Sequence, residues 1–319
     1  MDRAEFLTLV DLAHQPGLEI GALNKPVVTR AMGPVEYVDR ATRDELAAWY
    51  SDPLHGVDLA DIVEVDHVWG EQSLLEAVGG ERAYDYLVAS HVIEHVPDLF
   101  GWLGEIAGVL TDGGLALFMV PDKRFTFDRQ RLPSVSGDYA DAYLRRLRRP
   151  DTRQIFNHYY DTRIVGAEPP GEAALTELAQ GVLALCRRAE ADGEYIDSHA
   201  WVFTPRSLAQ ALDLASRLGL LPFEIARLEP TANGSDEFFL ALRRLTAAMS
   251  PPDQRTAFAA SLSALDLPEE FEAGAADVEA LRRRASAAEA RTAAIESSTI
   301  WRLTAPLRRM IDLARGRVA

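Results

Sequence analysis

The chain has 319 residues, 48% of them hydrophobic and 26% charged, with a formal net charge of −16. That size and apolar content build a full α/β domain with additions and exclude a disordered chain, while a single cysteine, Cys186, excludes a disulfide framework or a multi-cysteine zinc site. An acidic body repels phosphates, which argues against nucleic acid as substrate. The opening MDRAEFLTLVDLAHQ is charged from its second residue and no apolar run reaches membrane-spanning length, so a cytoplasmic protein is expected.

Strands and helices alternate from about residue 17. GLEIG, ending at Gly21, predicts a first strand, and VEYVD, ending at Asp39, a second. TRDE at 42–45 has the spacing of a capping box and opens the helix ELAAWY. ADIVEVD, ending at Asp66, predicts a third strand, and YDYLVAS, ending at Ser90, a fourth. A helix LFGWLGEIAGVL follows Pro97 and is expected to stop at TDGG. LALFMV then forms a fifth strand, stopped by Pro121. Short apolar strands with helices between them imply a parallel sheet covered on both faces.

Residues 122–200 break this rhythm and predict a helical insertion over the ligand edge, with helices near 138–149 and 171–192. In the second of these, VLALCRR makes Cys186 a buried thiol on one helix face. Thr204-Pro205 is an N-cap and N1 pair for SLAQALDLASRLG. LPFEIARL and DEFFLALRRL are two strands joined through Asn233-Gly234, an antiparallel hairpin closing the sheet. The expected organisation is one domain over 1–248 and a tail over 249–319, with SPPDQ as linker and an Ala-, Arg- and Glu-rich helical stretch at 276–297. Residues 281–319 hold nine arginines against three acidic residues, a net of +6, which leaves −22 on the first 280.

In an open parallel sheet, ligands bind beyond the carboxyl ends of the strands, near the switch in strand order. That rule selects Gly21 and its successors, where bare backbone approaches a ligand. It also selects Asp39, a carboxylate for two ribose hydroxyls, Asp66, an acceptor for an adenine amino group, and Ser90-His91. Single strand-ending Asp residues are common turn formers; three sites in the right order carry more weight. The only lysines, Lys25 and Lys123, fall in loops at this edge.

LEIGALNKP, YVDRA and DYLVASHVIEHVPDLFGWLGEIAGVLTDGGLALFMVPD together resemble class I S-adenosylmethionine-dependent methyltransferases, especially a group whose fourth strand leads into EHV. The resemblance covers residues 17–125 and 199–243. It implies a Rossmann-like seven-stranded, mostly parallel sheet closed by an antiparallel C-terminal hairpin, with a helical insertion and a helical tail. It implies S-adenosylmethionine as cofactor, with Glu19, Gly21 and Ala22 at its methionine end, Asp39 and Arg40 at the ribose, and Asp66 by the adenine. Ser90 and His91 then open the loop that faces the donor methyl. The chain departs from the family at Leu23 and Lys25, where further glycines are usual, and its segment between the first two strands is short enough to truncate the first helix. The same departure argues against a nicotinamide dehydrogenase, because G-x-G-x-x-G is missing.

His91-x-x-Glu94-His95 also fits an inverted zinc-protease spacing, which needs a helix that a strand end and Pro97 do not provide. It partly matches an E-x-x-E-H segment with which some methyltransferases bind a divalent ion, and it equally fits helix-start residues in local hydrogen bonds. For a hydroxyl acceptor, the candidate bases are His95, Asp122 and His199, with His158 a weaker fourth. STIWRLTAPLRR resembles the ends of bacterial glycosyltransferases and polysaccharide-assembly proteins. This implies sugar O-methylation in surface-glycan biosynthesis, with the tail against a glycosyltransferase or an anionic membrane surface. A natural-product methyltransferase and a non-catalytic binding protein remain open beside it.

Overall fold

The computed structural model describes residues 1–52, 56–80, 84–162 and 171–267. A compact unit spans Met1–Leu267. The tail from residue 268, including STIWRLTAPLRR, lies outside the described residues.

Seven strands form one sheet: β1 Gly17–Ile20, β2 Val35–Asp39, β3 His67–Val68, β4 Tyr84–Ser90, β5 Leu110–Pro121, β6 Phe223–Glu229 and β7 Glu237–Arg244. Their order is β3-β2-β1-β4-β5-β7-β6, with β7 antiparallel to both its neighbours and the other pairings parallel. This is the Rossmann-like sheet closed by an antiparallel hairpin. Asn233-Gly234 makes the reversal, with Gly234 at φ +82.

The strands alternate their side chains between two cores, the period-two signature of a sheet buried on both faces. On β5, Ala116, Phe118 and Val120 face one core, and Leu115, Leu117 and Met119 the other. The first core is roofed by α4 (Leu99–Val109), α8 (Pro205–Arg217) and α9 (Pro251–Ser263). α8 starts where expected, with Thr204 accepting from Ser207 N and Pro205 in the first turn. The second core is covered by the short α1 (Arg3–Leu7) through Phe6 and Leu7, and by Val28 of the irregular segment between β1 and β2. That segment, residues 21–34, contains no helix.

Three sequence expectations are corrected. ADIVEVD is not a strand; it starts in a 3-10 turn (Leu59–Asp61) and runs on irregularly, Asp66 N donates to Tyr37 O, and the ladder with β2 covers only His67 and Val68. TDGG does not separate helix from strand; it is a bulge inside β5, fastened by Thr111 Oγ1 donating to Asp85 Oδ1 at 2.9 Å. SPPDQ is no linker. Ser250 caps and Pro251 begins α9, the position where a missing N–H costs nothing, and Phe258 is wholly buried in the first core.

The insertion carries α5 (Ser136–Arg145), α6 (Thr152–Phe156), a π-helical turn (Asn157–Asp161) and α7 (Glu172–Asp192). It has a small core of its own, Ile155, Val182, Cys186, Ala189 and Ile196, so Cys186 is the expected buried thiol. Both its ends are tied to the sheet edge it leaves: Asp122 bridges to Phe203, and Trp201 donates its backbone N–H to Glu94 O and its indole N–H to Val96 O at 2.6 Å.

Candidate active site

β1 and β4 are neighbours while β2 and β5 lie on opposite sides of them, so the strand order switches between β1 and β4. Beyond the carboxyl ends at this switch lies a cavity of about 610 Å³, within the usual range for a cofactor site. Gly21 lines it from β1, Asp39 and Arg40 from β2, and Val92 and His95 from the segment after β4. Gly21 sits at φ +70, and a Cβ there would lie 2.8 Å from Val92 Cγ2. Both the backbone conformation and the space therefore require glycine, which leaves bare main chain at the cavity.

Asp39 accepts from Arg40 N at 2.7 Å. Burial holds its carboxyl above the usual range, partly offset by that N–H and by the Arg40 charge. The Arg40 guanidinium sits in the corner formed by two aromatic rings, 4.2 Å from the centroid of Trp49 and 4.5 Å from that of Tyr195. Tyr195 belongs to the insertion, as do Tyr143 and Arg146, which also line the cavity. The insertion thus forms one wall of the site. Trp69 and Gly70, just after β3, complete it beside Asp39. The sequence reading missed these two because it ended the third strand too early.

Other expected cofactor residues lie outside the cavity lining. Glu19 is buried beneath it and accepts from Val27 N at 2.7 Å and Val28 N at 2.9 Å. Burial pushes its carboxyl up to about 7, against the pull of those two N–H groups. Asp66 accepts from Tyr37 N at 2.8 Å and pairs with Arg30 at 2.7 Å. Both acids therefore fasten the 21–34 segment, whose backbone lacks the internal hydrogen bonds a helix would supply. Ala22 packs in the second core. Ser90 ends β4 in register with Met119, and Lys123 donates to Arg129 O; neither these two nor Lys25 lines the cavity. His91, at φ +53, turns its Nε2 to Glu237 at 3.0 Å, and Glu237 in turn pairs with Arg3.

The three candidate bases part company. Asp122 is fully buried, and its carboxylate accepts from the Arg124 backbone and guanidinium and from Thr231 Oγ1. Its oxygens are committed to holding the insertion's start against the hairpin loop. His95 and His199 instead come together, ring centroids 4.6 Å apart. Each has a carboxylate behind its Nδ1: Asp197 Oδ1 at 2.8 Å for His95 and Asp128 Oδ2 at 2.5 Å for His199. Burial alone would lower the His95 pKa, but the Asp197 hydrogen bond and the charges of Glu94, Asp197 and Asp128 raise it overall. Burial alone would raise Asp197, yet its bond to His95 and the neighbouring cations bring it down to about 2.

His158 joins this cluster from the π-helical turn, its Nδ1 accepting from His199 N at 3.1 Å. Burial, then the charges of His199 and Arg131, pull it down to about 3, so it stays neutral and keeps accepting. Neither Asp128 nor Asp197 was visible as a site residue in the sequence, because each meets its histidine across a long stretch of chain, 71 positions for Asp128 and 102 for Asp197.

A family described as a methyltransferase domain matches residues 30–215, more than half of the chain. The chain belongs to this family. Solved structures to which this chain is similar include the carbon methyltransferase CurJ (10% identity, 76% of this chain and 51% of that one, TM-score 0.37). They also include the mitomycin 7-O-methyltransferase MmcR (11%, 76% and 53%, 0.36) and the trans-methyltransferase CalH complexed with SAH (15%, 76% and 54%, 0.37). The chain spans about half the length of these proteins. A comparison with curated proteins finds no match.

S-adenosylmethionine is the methyl donor of this class, and the cavity suits it. Gly21 offers bare backbone, Asp39 a buried carboxylate for hydroxyl groups, and Trp69 an apolar face.

Proposed function

We propose that this protein transfers a methyl group from S-adenosylmethionine to a hydroxyl group of a sugar, in the assembly of surface glycans or glycoconjugates. The observation that carries the reading is the pair of carboxylate-backed imidazoles, His95–Asp197 and His199–Asp128, of which His95 lines the cofactor cavity and His199 packs against His95 at 4.6 Å between ring centroids. Bound in the cavity, the cofactor supplies an electrophilic methyl group. An oxygen acceptor that takes it must shed a proton, and a positioned acid–base group contributes there. Asp197 and Asp128 fix both rings through Nδ1, leaving each Nε2 for the acceptor side. Arg40, resting on the rings of Trp49 and Tyr195, and the insertion wall bound the cavity on this side.

A sugar is favoured by a second pocket of about 300 Å³ in the insertion, where Arg131, Asp138, Asp141 and Asn157 meet Trp201. Fixed donors and acceptors around an aromatic side chain suit a polyhydroxylated acceptor. The net charge of +6 over residues 281–319 is compatible with contact at an anionic membrane or with an assembly partner. Among the described residues no helix is long and apolar enough to cross a membrane.

The test is methyl transfer to a panel of sugar acceptors, with His95→Asn and His199→Asn compared to wild type. Turnover is expected to fall by ~10²–10⁴ in at least one variant, with S-adenosylhomocysteine affinity held within about threefold. Full turnover in both variants would remove the cluster from the chemistry.

A further inference from the structure

We infer that Glu94, His95 and His199 hold a divalent transition-metal ion. Glu94 is 1% exposed, and neither carboxylate oxygen has a hydrogen-bond partner among the described residues. A buried carboxylate left in this state is costly unless something charged meets it. Its nearest cationic neighbours are His91 Nδ1 and His95 Nε2, each 3.9 Å from Oε1, beyond hydrogen-bond reach. That spacing is close to the ~3–4 Å that separates two ligands of one ion with bonds of about 2.0–2.2 Å. One ligating atom each from Glu94, His95 and His199 lies within 4.8 Å of the others, so the three need draw in only slightly.

The surroundings are those of a metal centre. Ligating imidazoles characteristically hand their second nitrogen to a carboxylate, which fixes the ring and makes it a better donor. Both rings do so here, His95 to Asp197 and His199 to Asp128. Asp128 is itself anchored by Arg131 at 3.0 Å, so that support is rigid. A second grouping, Asp128, His158 and His199, is also close enough to share an ion. Its atoms are already engaged: Asp128 accepts from Arg131 and His199, and His158 Nδ1 accepts from His199 N. Glu94 alone has nothing else to bind. The donor set revises the motif reading, because His91 of His91-x-x-Glu94-His95 is turned to Glu237 and His199, over a hundred positions away, takes its place.

Two imidazoles and one carboxylate suit zinc, manganese, iron or cobalt rather than magnesium or calcium, which prefer all-oxygen shells. With the ion bound, the two Nε2 atoms would be its ligands rather than proton acceptors, and the acceptor hydroxyl would be acidified at the ion and lose its proton to solvent. That use of the ion rests on the proposed function, and its binding does not. The experiment strips the protein with chelator and titrates Co²⁺ by visible absorption and Zn²⁺ by calorimetry, with S-adenosylhomocysteine titrated in parallel. One equivalent of Co²⁺ is expected, with d–d bands of low-coordinate nitrogen and oxygen ligation, displaced by Zn²⁺ and indifferent to excess Mg²⁺. Glu94→Gln and His199→Ala should each lose this binding by at least ~100-fold, and Asp128→Asn by ~10–100-fold. Glu94→Gln removes an unpartnered buried charge, so it is expected to stay folded, which its retained S-adenosylhomocysteine affinity will report. Failure of wild type to bind either ion, or undiminished binding by both ligand variants, overturns the inference. Loss of S-adenosylhomocysteine binding by wild type refutes the methyltransferase reading instead.

Discussion

Glu19→Gln separates two forces that act oppositely on one buried carboxyl. Two backbone N–H groups reward the ionised form, while burial at 1% exposure penalises it. The balance places its pKa at about 7, against an ordinary value of 4.5. A folded-state pKa raised in this way stabilises the protein below the unfolded value, and that stabilisation is lost as pH rises through the folded one. The window is therefore about pH 4.5 to 7, and a difference of about 2.5 units corresponds to about 3 kcal/mol. Glutamine cannot titrate. It keeps one acceptor oxygen but sets an amide donor against the other N–H, a loss of about 1 kcal/mol relative to the protonated acid. The variant should thus be close to wild type in stability at pH 5, where the unfolded carboxyl is already mostly ionised and the linkage loss of about 1 kcal/mol offsets the lost hydrogen bond, and more stable by about 2 kcal/mol at pH 8. Urea denaturation of both proteins at the two pH values measures this. A variant that loses more stability at pH 8 than at pH 5 would show that the two hydrogen bonds outweigh burial, and that Glu19 is an ordinary ionised staple.

Three further outcomes are expected. Asp39→Ala should weaken S-adenosylhomocysteine binding by about 1–3 kcal/mol in calorimetry, because ligand hydroxyls lose a buried acceptor; unchanged affinity would place the ribose elsewhere. Phe258→Ala should cost about 3–5 kcal/mol in urea denaturation, since the ring is wholly buried between α9 and the sheet; a cost near zero would return α9 to the tail. Hydrogen exchange around Tyr143–Arg148 and Tyr195 should slow when S-adenosylhomocysteine is added, because these insertion residues line its cavity.

The sheet was legible because its signals are local. β4 reads as YDYLVAS, its seven residues all in the strand, and α8 announces itself through Thr204-Pro205. Capping boxes and tight turns depend on residues a few positions apart, so sequence inspection finds them. The third strand and the linker failed for the same reason in reverse. ADIVEVD has strand composition, but the Asp66 side chain takes the Tyr37 N–H that a ladder would use and pairing starts only after it, and SPPDQ has loop composition but the chemistry of a helix start. Tertiary context decided both.

The site shows the same division more sharply. Gly21 and Asp39 follow from the rule that ligands sit beyond strand ends at the switch, Arg40 from the family resemblance, and the cavity lies there. Asp66 was expected at the adenine by the same strand-end rule, and Glu19 at the methionine end by the family resemblance. The connection from β1 to β2 is an irregular segment, its backbone groups need other partners, and the two acids supply them through Val27, Val28 and Arg30. Without a helix there, both carboxylates have backbone and guanidinium groups to hold. The insertion adds carboxylates of its own: Asp128 and Asp197 reach His199 and His95 across 71 and 102 positions of chain. No spacing rule connects residues so far apart, and only the fold, which pins the insertion's exit to the loop after β4 through Trp201, brings them to one place.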